Sequence, residues 1–224
     1  MIEFEGVGHR FGERVVLDGV DLRLAERRVA FVGANGSGKS TLARMVNGLV
    51  VPETGRVLVD GVDPARHGAA VRKRVGFVFT DPDSQIVMPT AGEDVAFSLR
   101  RSEVPRRERA ARAAQALAEF GLAGYAEHPA HQLSGGQKQL LALCAVLVLD
   151  PDVLVCDEPT TLLDLRNKRR FAERLTGLRQ QVLLLTHDLD LLDGFDRVVV
   201  LDQGKIVADD EPGPAIAHYR DLCR

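Results

Sequence analysis

Val20, Leu22 and Leu24 alternate with Asp21 and Arg23, which predicts a strand with one face buried and the other in water. Arg56-Val57-Leu58-Val59-Asp60-Gly61, after the turn residues Pro52 to Gly55, predicts another. The first stretch of the chain thus reads as antiparallel strands. Four other runs are apolar almost without a break: Val29 to Val32, Val75 to Phe79, Val153 to Cys156 and Val182 to Leu185. Strands covered on both faces of a parallel sheet require such runs. Each ends in polar or glycine-rich residues: Gly33-Ala34-Asn35, Thr80-Asp81, Asp157-Glu158 and Thr186-His187. Open parallel α/β sheets bind ligands at the carboxyl ends of their strands, so the pattern locates the chemistry before any motif is identified.

A helical block is expected between the second and third of these strands. Glu103 to Phe120 is rich in Ala, Arg and Glu, and Gln137 to Leu149 is apolar nearly all round, as in a buried helix, until Asp150-Pro151 stops it. At 224 residues and 45% apolar, the chain can form one large domain or a core with a smaller subdomain. A net charge of −3 gives no reason to expect a nucleic-acid partner. Arg100, Arg101, Arg106, Arg107 and Arg109, interleaved with Glu103 and Glu108, read as a solvated helix face. Cys144, Cys156 and Cys223 have no metal or redox spacing, and the first two sit in apolar runs, as small core residues would in a reducing compartment. Met1 to Glu5 is acidic and alternating, unlike a secretory leader. The longest apolar run, Leu140 to Leu149, is far short of the ~20 residues of a membrane helix. A soluble chain is expected, one that reaches a membrane only through a partner.

Gly33-Ala34-Asn35-Gly36-Ser37-Gly38-Lys39-Ser40 fits G-x-x-x-x-G-K-[ST], with an expected strand before it and a helix-compatible run, Thr41 to Val46, after it. Glycines let backbone N–H groups close around phosphate oxygens, and a helix N-terminus adds partial positive charge. Lys39 is then placed to reach the β- and γ-phosphates, and Ser40 to ligate Mg²⁺. Asp157 and Glu158 follow a buried strand: one carboxylate can hold the Mg²⁺ shell, and the other can orient or deprotonate an attacking water. Leu133-Ser134-Gly135-Gly136-Gln137 has a plain reading as a capping box of Ser134 and Gln137. A capping box does not need Gly135 and Gly136, which cost helix propensity but leave backbone amides open to a second phosphate.

These elements in this order, with His187 after a later strand, resemble the ATP-binding cassette (ABC) family over essentially the whole chain. The resemblance implies an α/β, P-loop NTPase (RecA-like) fold in a single cassette domain spanning 1–224. Its core would be a mainly parallel sheet, with an N-terminal antiparallel β subdomain and a helical subdomain inserted at about residues 86–150. It implies ATP and Mg²⁺ as cofactors, with ATP cradled by Gly33, Ala34, Asn35, Gly36, Ser37, Gly38, Lys39, Ser40 and Thr41. It also implies a head-to-tail dimer, in which each ATP lies between one subunit's phosphate loop and the other's Ser134, Gly135, Gly136 and Gln137. Glu158 would be the catalytic carboxylate, assisted by Lys39; His187 would contact the γ-phosphate, and Asp164 would belong to the loop crossing the interface. Phe11 matches the aromatic that stacks on adenine, although a lone phenylalanine reads equally well as core. His128 and His131 lack metal-ligand partners and read as structural.

Two positions depart from the family pattern. After Val75 to Phe79 the family usually carries a glutamine that touches Mg²⁺ and senses the transporter; here Thr80 stands there, and the nearest glutamine is Gln85. Either can be the metal contact. The prolines Pro82 and Pro89, which fix φ at both ends of the loop, favour Gln85 as a partner-facing residue. The interface loop reads Thr161-Leu162-Leu163-Asp164-Leu165, where a small residue is common.

Phe79-Thr80-Asp81-Pro82-Asp83-Ser84-Gln85, Pro89-Thr90 and Glu93-Asp94-Val95-Ala96-Phe97 resemble the energy-coupling-factor (ECF) importers of vitamins and transition-metal ions. The short chain is most similar to the ATPase of biotin uptake systems. Implied partners are a second cassette ATPase, identical or different, and transmembrane transporter subunits, with the chain peripheral on the cytoplasmic face of the cell membrane. Ile86, Val87 and Met88 are candidates for an apolar groove that takes a partner helix. The alternatives are the ATPase subunit of an ABC exporter and a non-transport ABC ATPase. Against the latter, no long heptad block separates the motifs, and there is one motif set, not two.

Overall fold

The computed structural model describes residues 1–224. Strands β1 (Ile2–Phe11) and β2 (Arg14–Leu24) form a hairpin; β3 (Arg28–Val32) and helix α1 (Lys39–Val46) follow. Strand β4 (Thr54–Val59) then returns to pair with β1, giving an antiparallel sheet of order β2-β1-β4. Val20, Leu22 and Leu24 all point inward, as their alternation requires.

Helix α2 (Pro64–Arg74) leads into β5 (Val75–Val78), and a helical layer comes next: α3 (Ala91–Ser98), α4 (Arg109–Glu119) and α5 (Gly135–Leu147). The chain then lays down β6 (Val153–Asp157), α6 (Leu165–Thr176), β7 (Gln181–Leu185), β8 (Arg197–Asp202), β9 (Lys205–Asp210) and α7 (Pro212–Leu222). The main sheet has the order β5-β6-β7-β3-β8-β9, parallel except for β9 at its edge. This is the expected fold class.

Burial on both faces explains the unbroken apolar runs. Val29 and Phe31 of β3 pack towards the antiparallel sheet and α1, in one core with Leu42, Met45, Leu183 and Leu185. Ala30 and Val32 face the opposite way, into a second core with Phe171, Leu175, Leu191 and Ala215. The helical layer has a third apolar cluster of its own, built on Val95, Leu99, Leu117, Leu141, Cys144 and Val148. Burial pushes the Cys144 thiol up to about 12, so it is an inert core group. No helix is long and apolar enough to cross a membrane.

Three expectations are corrected here. The helix expected over Glu103 to Phe120 is α4 alone, preceded by a single 3-10 turn at Arg106–Glu108, because Pro105 cannot sit inside a helix. The arginine cluster is therefore no helix face: Arg100 and Arg101 lie on one short turn, and Arg106 and Arg107 on another. Strand β5 also stops at Val78, one residue short of the apolar run.

Candidate nucleotide site

The phosphate loop joins central strand β3 to α1. Gly38 caps α1 at φ 107°, where a Cβ would lie 2.6 Å from the Val16 carbonyl oxygen, so only glycine fits. Lys39, 6% exposed, donates from Nζ to the carbonyls of Gly33 (2.6 Å) and Ala34 (3.1 Å). Burial holds its ammonium below the ordinary lysine range, while the charges of Glu158 and Asp157 push it back up. The buried Ser37 hydroxyl has no protein partner. An unpartnered hydroxyl beside open loop amides and a buried ammonium fits a polyphosphate.

Strand β6 delivers the two carboxylates. Asp157 accepts a hydrogen bond from the Ser40 hydroxyl at 2.7 Å on Oδ1, and Arg44 lies 3.5 Å from Oδ2. A hydroxyl and a carboxylate oxygen held together are the hard oxygen donors that Mg²⁺ takes alongside phosphate. Glu158 follows at φ 50°, a left-handed backbone rare for a residue with a side chain. Its Oε2 lies 2.7 Å from Nδ1 of His187, and its buried Oε1 has no partner. The end of β7 supplies that histidine, so carboxylate and imidazole meet across neighbouring parallel strands.

Phe11 and Arg14, at the tip of the β1–β2 hairpin, join residues 35–41 and Glu158 in lining a half-open cavity of about 230 Å³. Phe11 is 59% exposed, which removes its reading as a core residue. The Arg14 guanidinium reaches the Gly36 carbonyl at 3.4 Å. None of Ser134, Gly135, Gly136 and Gln137 lines this cavity. They start α5, where Ser134 and Gln137 complete the capping box: Gln137 N donates to the Ser134 hydroxyl at 3.3 Å, and Ser134 N donates to Gln137 Oε1 at 2.8 Å. Asp164 caps α6 through Asn167 N (2.8 Å) and also holds the Asn167 amide (3.1 Å). That amide lies against Gly136, where a Cβ would meet it at 2.5 Å. The loop before α6 and the glycine pair are thus one packed unit.

Thr80 and Gln85 divide clearly. The Thr80 hydroxyl donates to the backbone carbonyl of Asp157 at 2.7 Å. Gln85 turns its side chain onto the backbone instead, accepting from Phe79 N (3.2 Å) and donating to the Phe77 carbonyl (3.3 Å). Both ends of the Gln85 amide are thus occupied on the edge of β5. Several residues of the site escaped the sequence reading. Arg44 lies four positions after Ser40 on α1, a spacing that was available. Arg14 carries no local signal, because its partner is 22 residues away. Lys138, bonded to Asp83 at 2.7 Å, and buried Gln139, donating to the Phe79 carbonyl at 3.1 Å, tie α5 to the loop after β5.

Comparison with known proteins gives a consistent set. The sequence profile described as "ABC transporter" matches residues 17–161. The biotin transport ATP-binding protein BioM of Rhizobium etli is 43% identical over 221 residues, covering 99% of this chain and 98% of its own length. The energy-coupling factor transporter ATP-binding protein EcfA1 of Bacillus subtilis is 38% identical over 233 residues, covering 100% of this chain and 83% of its own. Among solved structures, cbiO1 from Clostridium perfringens, part of the ABC transporter complex cbiONQ, gives a TM-score of 0.84 at 29% identity, over 99% of this chain and 92% of that one. The ATP-binding cassette MJ0796, solved as a dimer in a post-hydrolysis state with ADP and Pi, gives 0.83 at 28% identity, over 95% and 99%.

Proposed function

From the premise that this chain belongs to the ABC transporter family and is an ATPase, we propose that it powers an ECF-type importer, closing with a second cassette around ATP, and that the cargo is biotin. The observation that carries the dimer is the half-built cavity: phosphate loop, Phe11 and Glu158 line it, while the glycine pair of α5 stays outside. A second copy or a related cassette supplies the missing wall. The dimeric MJ0796 cassette with ADP and Pi supports that reading.

Within the site, the loop amides and Lys39 bind the β- and γ-phosphates, and Phe11 stacks on adenine. Ser40 and Asp157 would hold Mg²⁺, with the Thr80 hydroxyl bracing the Asp157 backbone. Mg²⁺, when bound, neutralises charge that develops on the phosphate oxygens. Glu158 takes a proton from the attacking water, and His187, 2.7 Å from its Oε2, orients the carboxylate.

A groove of about 510 Å³ beside the site supports docking to a membrane subunit, which would hold the chain at the cytoplasmic face. Phe77, Val87, Phe97 and Val146 line it, and Val87 is 62% exposed. Gln85 also lines the groove, in keeping with its partner-facing reading. Biotin is favoured over a metal ion by the end-to-end match to BioM. Cells lacking this chain are expected to lose uptake of labelled biotin and to keep uptake of Co²⁺ and Ni²⁺. The reverse pattern would assign the importer to a metal ion.

A further inference from the structure

Along β1 the side chains of Val7, His9 and Phe11 step outward from a fully buried valine to the exposed phenylalanine of the nucleotide cavity. His9 sits between them. Its two ring nitrogens are buried and neither has a hydrogen-bond partner. Its ring stands edge-on to that of Phe11, with centroids 4.8 Å apart and planes at 86°. The pairing of β1 with β2 shifts register on both sides of His9, so the strand is irregular where the two rings meet. His9 does not line the cavity; Phe11 does.

A half-buried imidazole whose two nitrogens are both shut off from water without a partner is a costly choice for a strand position, because each orphaned polar group forfeits its bonds to water. What His9 offers in return is a directed contact. Perpendicular aromatic pairs have an orientation preference that an aliphatic side chain lacks. Phe11 needs that direction: an exposed ring free to turn about two side-chain torsions presents its face to adenine only part of the time. We propose that His9 is the positioning residue of the adenine platform, holding the Phe11 ring edge-on so that its open face is preset for the base. The inference rests on the reading of Phe11 as that platform.

The test is a cycle of His9→Ala, Phe11→Ala and the double variant, with ATPase kinetics measured on the full chain and inorganic tripolyphosphate used as a competitor that has no base. His9→Ala is expected to raise KM for ATP about two- to tenfold, the span of one oriented aromatic pair, and to leave kcat in place. The inhibition constant of tripolyphosphate stays unchanged, and in the Phe11→Ala background the His9 change adds nothing. His9→Phe restores an aromatic edge without the orphaned nitrogens; it should recover the original KM and raise Tm. Equal losses for ATP and tripolyphosphate, or effects of the two alanine variants that simply add, would overturn the positioning role. Should Phe11→Ala by itself leave KM for ATP unchanged, the platform reading falls first and takes this inference with it.

Discussion

Lys39 spends its ammonium on two carbonyls of its own loop, a stand-in for the phosphate oxygens it would otherwise meet. No other lysine lines the cavity. Lys39→Ala should therefore lower kcat/KM for Mg²⁺–ATP by two or more decades, the order for losing a transition-state charge clamp; steady-state hydrolysis measures it. Glu158 tests a different step. Glu158→Gln keeps an acceptor for His187 but cannot take a proton, so binding should persist while hydrolysis stops. Light scattering with ATP and Mg²⁺ should then show a trapped dimer, and a fully monomeric Glu158→Gln protein would refute the proton-acceptor role or the dimer. Both residues were legible in the sequence, since each stands beside a motif that follows an apolar run. The pairing of Glu158 with His187 was not, because it depends on β6 and β7 lying side by side, a fact of topology that no local pattern records.

Among the elements, α3 keeps an expensive group in its first turn. Asp94 is 4% exposed and accepts from Val87 N (2.9 Å) and Met88 N (3.1 Å) on one oxygen. Burial raises its pKa, and the two amides pull it partly back. A raised folded-state pKa means that the folded chain holds the proton more tightly than the unfolded chain. The stability tied to this carboxyl is then fully present below the unfolded carboxylate range and is lost as pH rises through the folded-state value. Asp94→Asn keeps an oxygen for both amides and never ionises. It should raise Tm at pH 7.5 by about 2–4 °C, the order for roughly 1 kcal/mol in a chain of this size, and the advantage should vanish towards pH 4. Thermal melts across that range measure it. The amphipathic strands of the first sheet and the doubly buried strands of the second were readable from their periods. Helix α4 was overdrawn, because alanine and arginine favour helix on either side of a proline that forbids it.

At the scale of the molecule, one loop joins the groove to the start of α5. Val87 lines the groove, while Asp83 of the same loop holds Lys138 at the start of α5. Val87→Asp puts a charge on the groove wall and touches nothing in the cavity. It should leave the isolated ATPase within about twofold and abolish transport in the assembled importer, because the introduced charge must shed its water when an apolar partner surface docks. A vesicle uptake assay run beside an ATPase assay separates the two. Of Ile86, Val87 and Met88, which the sequence suggests for this surface, only Val87 lines the groove; the other walls come from α2, β5, α3 and α5 together, which no local pattern records.

The half-built cavity also has a kinetic meaning. If each ATP is enclosed by two chains, the working enzyme is a pair. At concentrations below the dimer constant, specific activity should therefore climb in proportion to total protein, and dilution alone should silence it. Two inactive forms should rescue each other. A Lys39→Ala chain still offers an intact glycine pair, and a Gly135→Asp chain still offers an intact phosphate loop. Mixed in equal amounts, half of the random pairs contain one of each, and every such pair holds one sound site out of two. Activity measured on the mixture should return to about a quarter of the wild-type level, although neither protein hydrolyses ATP alone.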